Sequence, residues 1–148
     1  MSLWRREAIE RFPELHREIA DAEGIYFVWM TLRRKLFRPA YEEEPPDIET
    51  AARVYKYAAW SLNQRSSHVR LAVEIEFYQW LADDPRTRRD MPCWISQETF
   101  DGLRSAWDVY MTRQDYADLR REFAKNKERI DTENRNRRPG ASGGRPKG

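Results

Sequence analysis

Two glutamates in the middle of this 148-residue chain are its first candidates for chemistry. Glu74 and Glu76, with Asp47 or Glu49 as a partner, have the side chains that an acid–base pair requires. On a helix, however, residues two positions apart point in different directions. Glutamates on helices also usually face solvent. A small-molecule enzyme that uses these carboxylates is therefore the least favoured of our interpretations.

A single cysteine is the second candidate. Cys93 with His16 or His68 could form a nucleophile pair, but a lone cysteine between Pro92 and Trp94 is more often a small half-buried filler. One cysteine excludes an internal disulfide and a cysteine-based zinc site, and the two histidines form no His-x-x-x-His motif. The chain also lacks a glycine-rich phosphate loop. We therefore predict no metal and no cofactor, and we favour a protein that is not an enzyme.

Three arginines form a candidate anion site. Arg86, Arg88 and Arg89 lie near Trp94 in the irregular segment 83–94, which we predict to be a loop. The forked guanidinium group suits a phosphate or a carboxylate. Three aspartates of the same segment can neutralise these arginines, so ordinary surface charge is the favoured interpretation.

The C-terminus is basic although the rest of the chain is mildly acidic. Residues 1–134 carry 22 basic and 25 acidic side chains, whereas residues 135–148 carry five basic side chains and no acidic one. The five are Arg135, Arg137, Arg138, Arg145 and Lys147. They could contact nucleic acid or another polyanion, but five charges without interleaved rings attract weakly. We favour a solubilising extension, and predict a disordered Gly/Pro-rich tail at 133–148 after a helical domain at 1–132.

The elements that position these residues are marked by three aromatic clusters at helical spacing. The clusters are Tyr26, Phe27 and Trp29, then Tyr55, Tyr57 and Trp60, then Phe77, Tyr78 and Trp80. Apolar residues around each cluster repeat every three or four positions, which predicts helices whose rings form a core rather than a ligand pocket. We expect Tyr57, Tyr78 and Trp94 nearest the rim. Together with the three arginines of segment 83–94, they are our candidate binding surface.

Capping residues and prolines divide the chain into six or seven helices. We predict N-caps at Asp47, at Ser66 or Ser67 and at Ser96, and a capping box at Thr112 and Asp115. Three prolines predict a connector without regular helix over residues 38–46, and the last helix should end near residue 133. The pattern indicates an all-α fold, a single compact bundle with short proline-containing connectors.

Several motifs together suggest a family. They include Tyr26-Phe-Val-Trp29, Pro45-Pro46-Asp47, Val54-Tyr-Lys-Tyr-Ala-Ala-Trp-Ser-Leu62, Phe77-Tyr78 and Asp90-Met-Pro-Cys-Trp94. Over about residues 12–124 the chain resembles a family of small, mostly bacterial helical proteins with a domain of unknown function. The resemblance implies a single helical domain and brings no established activity, cofactor or catalytic residue. Cys93 stands where the family pattern tends to be basic, which weakens an anion site there.

We predict a non-catalytic helical protein that acts as a protein-interaction or accessory module, as small immunity-type proteins do. The alternative is a nucleic-acid-associated protein that uses the basic tail and the arginines of segment 83–94. Because no apolar run follows the charges near Met1, we expect no secretory signal, and no apolar stretch is long enough to span a bilayer. We therefore expect a cytoplasmic protein with a protein partner and no membrane contact.

Overall fold

The computed structural model describes residues 1–137, and it divides into two compact units. The first unit is Met1–Trp80, and the second begins at Leu81. Every regular element within residues 1–137 is helical, which confirms the all-α prediction. The last residues of the predicted tail, from 138 onward, lie outside the described part of the chain.

Two helices of the first unit begin at predicted caps. The elements of this unit are α1 (Leu3–Arg11), a 3₁₀ turn (Pro13–Leu15), α2 (His16–Asp21), α3 (Ile25–Leu32), a first π turn (Arg33–Phe37), α4 (Arg38–Glu42), α5 (Ile48–Leu62), α6 (Ser67–Val73) and a second π turn (Glu74–Tyr78). The short helix α7 (Gln79–Leu81) comes next. The side chains of Asp47 and Ser66 accept hydrogen bonds from the main-chain N–H groups of Thr50 and Val69, so both predicted N-caps are confirmed.

The connector predicted over residues 38–46 is shorter than expected. Helix α3 continues through the first π turn into α4, and irregular chain is confined to residues 43–47. In the π turn the N–H of Arg38 bonds to the carbonyl of Arg33, five residues back. Pro39 has no N–H to donate, and in a continuous α-helix its ring would clash with the carbonyl four residues earlier. The wider turn accommodates it.

An aromatic network fills the core of the first unit. Phe77 lies at its centre, with ring centroids 5.0–5.4 Å from those of Phe37, Tyr78, Trp29 and Tyr55. Trp29 in turn stacks on Tyr57 at 5.1 Å. Most of the clustered rings are thus core residues, as predicted. Phe27 and Trp80 are the exceptions, because both are exposed.

The second unit contains a helix where we predicted a loop. Its elements are α8 (Pro85–Trp94), α9 (Gln97–Gly102), α10 (Arg104–Asp108) and α11 (Arg113–Arg137). Asp84 caps α8 by accepting from the N–H of Arg86 at 2.8 Å, and Pro85 occupies the first helical position, where a missing N–H is harmless. The loop prediction for 83–94 is therefore wrong, because it counted aspartates and prolines and overlooked this start signal.

The remaining caps of the second unit are as predicted. Ser96 accepts from the N–H of Thr99, and Thr112 and Asp115 exchange the two hydrogen bonds of a capping box. The ring of Phe100 anchors the core, 4.3 Å from that of Phe123. Helix α11 runs to Arg137, so residues 133–137, which we assigned to the tail, are helical.

Candidate functional site

Arg33 joins the two π turns of the first unit. Its Nη1 donates to the main-chain oxygen of Glu76 at 2.7 Å and lies 3.4 Å from a carboxylate oxygen of the same residue. The guanidinium carbon also sits 4.1 Å from the ring centroid of Trp80. A cation over an indole face is attracted by the ring quadrupole. One arginine therefore fixes both a helix carbonyl and an exposed tryptophan.

The guanidinium of Arg33 is partly withdrawn from solvent. Burial is the largest cause lowering the pKa of Arg33, the charge of Glu76 opposes it, and repulsion by Arg38 adds to it. The influence of Arg38 follows from the π turn, which brings residues five apart onto one side. Arg33 is half-buried, whereas its neighbours Arg34 and Lys35 are exposed.

Contacts at two levels align α3 with α6. Near the start of both helices the rings of Tyr26 and His68 lie 5.9 Å apart, and farther along Arg33 reaches Glu76 and Trp80. Because both contacts advance in the same chain direction, α3 with its π turn and α6 with its π turn run side by side and parallel. This register gives the two helices a common outer side.

Large apolar side chains are exposed on that outer side. Phe27 on α3 is 47% exposed, Leu71 on α6 is 49% exposed and Trp80 is 44% exposed. At helical spacing, Phe27 and Leu71 point away from the buried residues of their own helices. We name the set Tyr26, Phe27, Arg33, Leu71 and Trp80 the α3–α6 face. Sequence reasoning missed it because Phe27 and Trp80 were counted with the core rings.

Two tyrosines of the predicted binding surface are not on any surface. Tyr57 and Tyr78 are fully buried, and burial strongly raises the pKa of both phenols. The hydroxyl of Tyr57 donates to the main-chain oxygen of Trp4 at 2.9 Å. The expectation that these rings lie near the rim is wrong, because each faces the aromatic network.

The arginines of α8 are largely engaged by acids. Nε and Nη2 of Arg88 donate to one oxygen of Glu122 on α11 at 3.0 and 2.7 Å. Arg86 forms an ion pair at 2.9 Å with Asp84, the N-cap residue of α8. Arg89 is exposed, and the nearby Trp94 is half-buried. Anion binding by this segment stays a prediction, and these ion pairs favour ordinary surface charge.

A family model described as Domain of unknown function (DUF7674) matches residues 5–112. The chain belongs to this family. The expected family resemblance, placed at about residues 12–124, is thereby confirmed. The match includes α8 to α10 and ends before α11. No curated protein and no solved structure matches the chain.

The acidic residues that we considered for catalysis serve separate roles in the DUF7674 protein. Asp47 accepts hydrogen bonds from both the N–H and the hydroxyl of Thr50, and Glu76 pairs with Arg33. Glu74 is half-buried, and burial raises the pKa of its carboxyl against the opposing charge of Arg70. The three carboxylates therefore interact with three different residues, Thr50, Arg33 and Arg70, and not with one another.

Cys93 shows no sign of activation. The residue is exposed on α8, so the prediction of a half-buried filler is wrong. Neighbouring groups still desolvate the sulfur, and together with the negative charge of Asp90 this raises the pKa of its thiol. The thiolate is the nucleophilic form, so a raised pKa disfavours attack by this residue at neutral pH. Within residues 1–137, no three histidine, cysteine or acidic side chains form a group that could hold a metal ion.

The basic C-terminus of the DUF7674 protein is described in part. Arg135 and Arg137 are exposed in the last turn of α11. Arg138, Arg145 and Lys147 lie outside the described residues, so polyanion contact by the tail stays a prediction. Over residues 1–137, no helix combines the length and apolar character that crossing a bilayer demands.

Proposed function

We propose that this DUF7674 protein is a non-catalytic protein-interaction module that binds its partner through the α3–α6 face. The observation that carries the proposal is the exposed indole of Trp80, held by the guanidinium of Arg33 and accompanied by exposed Phe27 and Leu71. Grouped apolar side chains on a surface are typical of interaction sites.

Residue types on this face support the proposal. Tryptophan and arginine are enriched among the residues that contribute most to protein–protein binding. Arg33 is already fixed by its hydrogen bond to Glu76, so Arg33 and the Trp80 ring lose little freedom when a partner binds. Preorganisation of this kind raises affinity by lowering the entropic cost of association.

The acids of the first unit support a non-catalytic role. The carboxylates of Asp47 and Glu76 hold a helix start and an arginine, respectively. A general acid or base has to exchange its proton with a substrate, and such commitments leave these groups poorly suited to it.

Site-specific photo-crosslinking in the native host tests the proposal. A photoreactive amino acid replaces Leu71 on the proposed face, and in a matched control it replaces the exposed Lys56 on α5. We expect a discrete crosslinked protein from position 71, lost on Trp80→Ala, and none from position 56. Equal crosslinking from both positions, or none from either, would contradict the proposal.

A further inference from the structure

We propose that the α3–α6 face binds an acidic protein segment whose carboxylates pair with Arg34 and Arg38 and whose apolar side chain packs on Trp80. This inference rests on the proposed function and specifies the chemistry of the partner. The reasons lie in the charge of the first π turn, its geometry and the composition of the first unit.

The first π turn concentrates positive charge. Residues 33–38 contain four basic side chains and no acidic one. Arg33 is paired with Glu76, and Lys35 is paired with Glu18 at 3.0 Å. Arg34 and Arg38 are exposed, and no ion pair among residues 1–137 engages either of them. Two cations are thus left for an external acid.

These two cations lie beside the stacked pair of Arg33 and Trp80. Arg38 is close enough to Arg33 for their repulsion to lower the pKa of Arg33. Arg34 precedes Arg38 by four residues, a spacing that places side chains on neighbouring parts of a helix surface. A carboxylate bound to Arg38 would offset its repulsion of Arg33. Forked guanidinium groups such as those of Arg34 and Arg38 suit carboxylates.

The exposed side chains of Trp80 and Leu71 favour a ligand that also carries an apolar side chain. Arg33 lies over the Trp80 ring, yet the residue is still 44% exposed. Leu71 on the neighbouring stretch of α6 is also exposed. An aliphatic or aromatic side chain placed on Trp80 would remove apolar surface from water on both partners. The face therefore selects a segment that combines acids with an apolar anchor.

The composition of the first unit favours an acidic protein over nucleic acid. Residues 1–80 carry 12 basic and 13 acidic side chains, so positive charge in this unit is local to the first π turn and does not extend along a track that a long phosphate backbone would follow. Directly after α4 come Glu43 and Glu44, both exposed, which would repel an extended phosphate backbone. Proteins that bind nucleic acid tightly commonly neutralise about six to ten phosphates. Two free arginines suit a few carboxylates better.

Fluorescence anisotropy with defined probes tests the inference on the full chain. The probe is a short labelled peptide of glutamates around a central leucine. The comparison probes are the same peptide with lysines for glutamates, the same peptide with alanine for leucine, and a labelled single-stranded oligonucleotide. We expect measurable binding of the glutamate–leucine peptide alone, weakened by added salt because exposed charges are screened.

Charge reversal at the two arginines beside the α3–α6 face should then weaken this binding. For R34E combined with R38E, we expect a loss of about tenfold in affinity, since two exposed pairs turn into like-charge contacts. R6E combined with K56E makes the same charge change at exposed positions on α1 and α5 and should alter affinity by less than about twofold. Circular dichroism melts of all variants verify that they are folded.

Several outcomes would overturn the inference. Binding of the lysine peptide as tightly as the glutamate peptide, or an equal loss in the control variant, would refute acid selection at this face. Tighter binding of the oligonucleotide that depends on Arg34 and Arg38 would make nucleic acid the ligand. If crosslinking from position 71 survives in the R34E and R38E variant, the interaction face stands and only the acidic partner is wrong.

Discussion

The chain carries two arginine clusters that look alike in sequence and differ in structure. In the π-turn cluster, Arg33 and Arg34 lie within the first π turn and Arg38 directly follows it. The other cluster, Arg86, Arg88 and Arg89, lies on α8. In the α8 cluster, Asp84 and Glu122 take up two of the three guanidinium groups. In the π-turn cluster, Glu76 engages one, and that one also stacks on a tryptophan.

The difference shows that the placement of acids, rather than the number of arginines, decides whether a basic cluster is open to a ligand. Asp84 sits at the cap of the same helix as Arg86, and Glu122 comes from a helix packed against it. Of the acids nearest the π-turn cluster in sequence, Glu42 is the last residue of α4, and Glu43 and Glu44 follow it. Among residues 1–137, none of the three forms an ion pair with Arg34 or Arg38. The π-turn cluster therefore keeps free charge beside an exposed ring.

The largest effect should come from removing the scaffold beneath the π-turn cluster. Phe77 is fully buried in the second π turn. The residue before it, Glu76, accepts the hydrogen bond from Arg33 with its main-chain oxygen. Phe77→Ala should lower the free energy of unfolding by about 3–5 kcal/mol, because it leaves a large cavity in the aromatic network. Phe27→Ala, at an exposed ring, is the control and should cost less than about 0.5 kcal/mol.

Urea denaturation followed by circular dichroism measures both variants. A cost for Phe77→Ala close to that of Phe27→Ala would show that the network does not support the first unit. Phe100→Ala provides the corresponding test for the scaffold of the α8 cluster, because Phe100 is fully buried against Phe123. We expect a comparable loss there.

The next effect concerns Arg33 itself. Arg33→Met removes a charged hydrogen bond to a main-chain carbonyl and a cation–π contact, and we expect a cost of about 2 kcal/mol. Arg33→Lys keeps the charge but loses the planar fork, so it should recover only part of the stability. Both are read out by urea denaturation. Full recovery by lysine would show that charge alone matters at this position.

Sequence patterns predicted the parts of this fold that depend on neighbouring residues. Asp47, Ser66 and Ser96 cap helices as expected because a cap is decided within four residues. The rings of Trp29 and Phe77 were predicted in the core because helical periodicity marks the buried face. Such local and periodic signals also sufficed for the all-α class.

The candidate site could not be predicted in the same way. A search for a period of 3.6 residues does not detect a π turn. The closeness of Arg33 to Arg38, which follows from that turn, was therefore not predicted. Exposure of Trp80 depends on which helices cover it, and the stack on Arg33 joins residues far apart in the chain. Tyr57 was wrongly predicted to be near the surface. It is buried because α1 packs over it and Trp4 accepts the hydrogen bond of its hydroxyl.

A smaller effect is expected from the ion pair of the α8 cluster. Arg88 and Glu122 are each about one-third exposed, with 27% and 37% of their side-chain surface accessible. A double-mutant cycle with Arg88→Met and Glu122→Gln should give a coupling energy of about 0.5–1 kcal/mol. Denaturation of the four proteins in low salt measures it. A coupling near zero would mean that Glu122 does not hold Arg88, and the contrast between the clusters would weaken.

The smallest effect sharpens the contrast between two acids of the second π turn. Glu76 pairs with Arg33, whereas burial raises the pKa of Glu74 and the charge of Arg70 only partly opposes it. A carboxyl with a higher pKa in the folded state than in the unfolded state binds its proton more tightly when folded. Its ionisation therefore lowers stability at neutral pH, and the loss disappears as pH falls through the raised pKa to below the ordinary glutamate value.

Glu74→Gln should accordingly raise Tm slightly at neutral pH, and its advantage over the wild type should shrink as the solution is acidified. Thermal melts over a series of pH values measure this difference, with Glu43→Gln at an exposed position as the control. A glutamine variant that is less stable at neutral pH would show that the Glu74 carboxylate makes a favourable contact. That contact would be with Arg70, the cation that opposes the raised pKa of Glu74, and the contrast between the two acids of the second π turn would be lost.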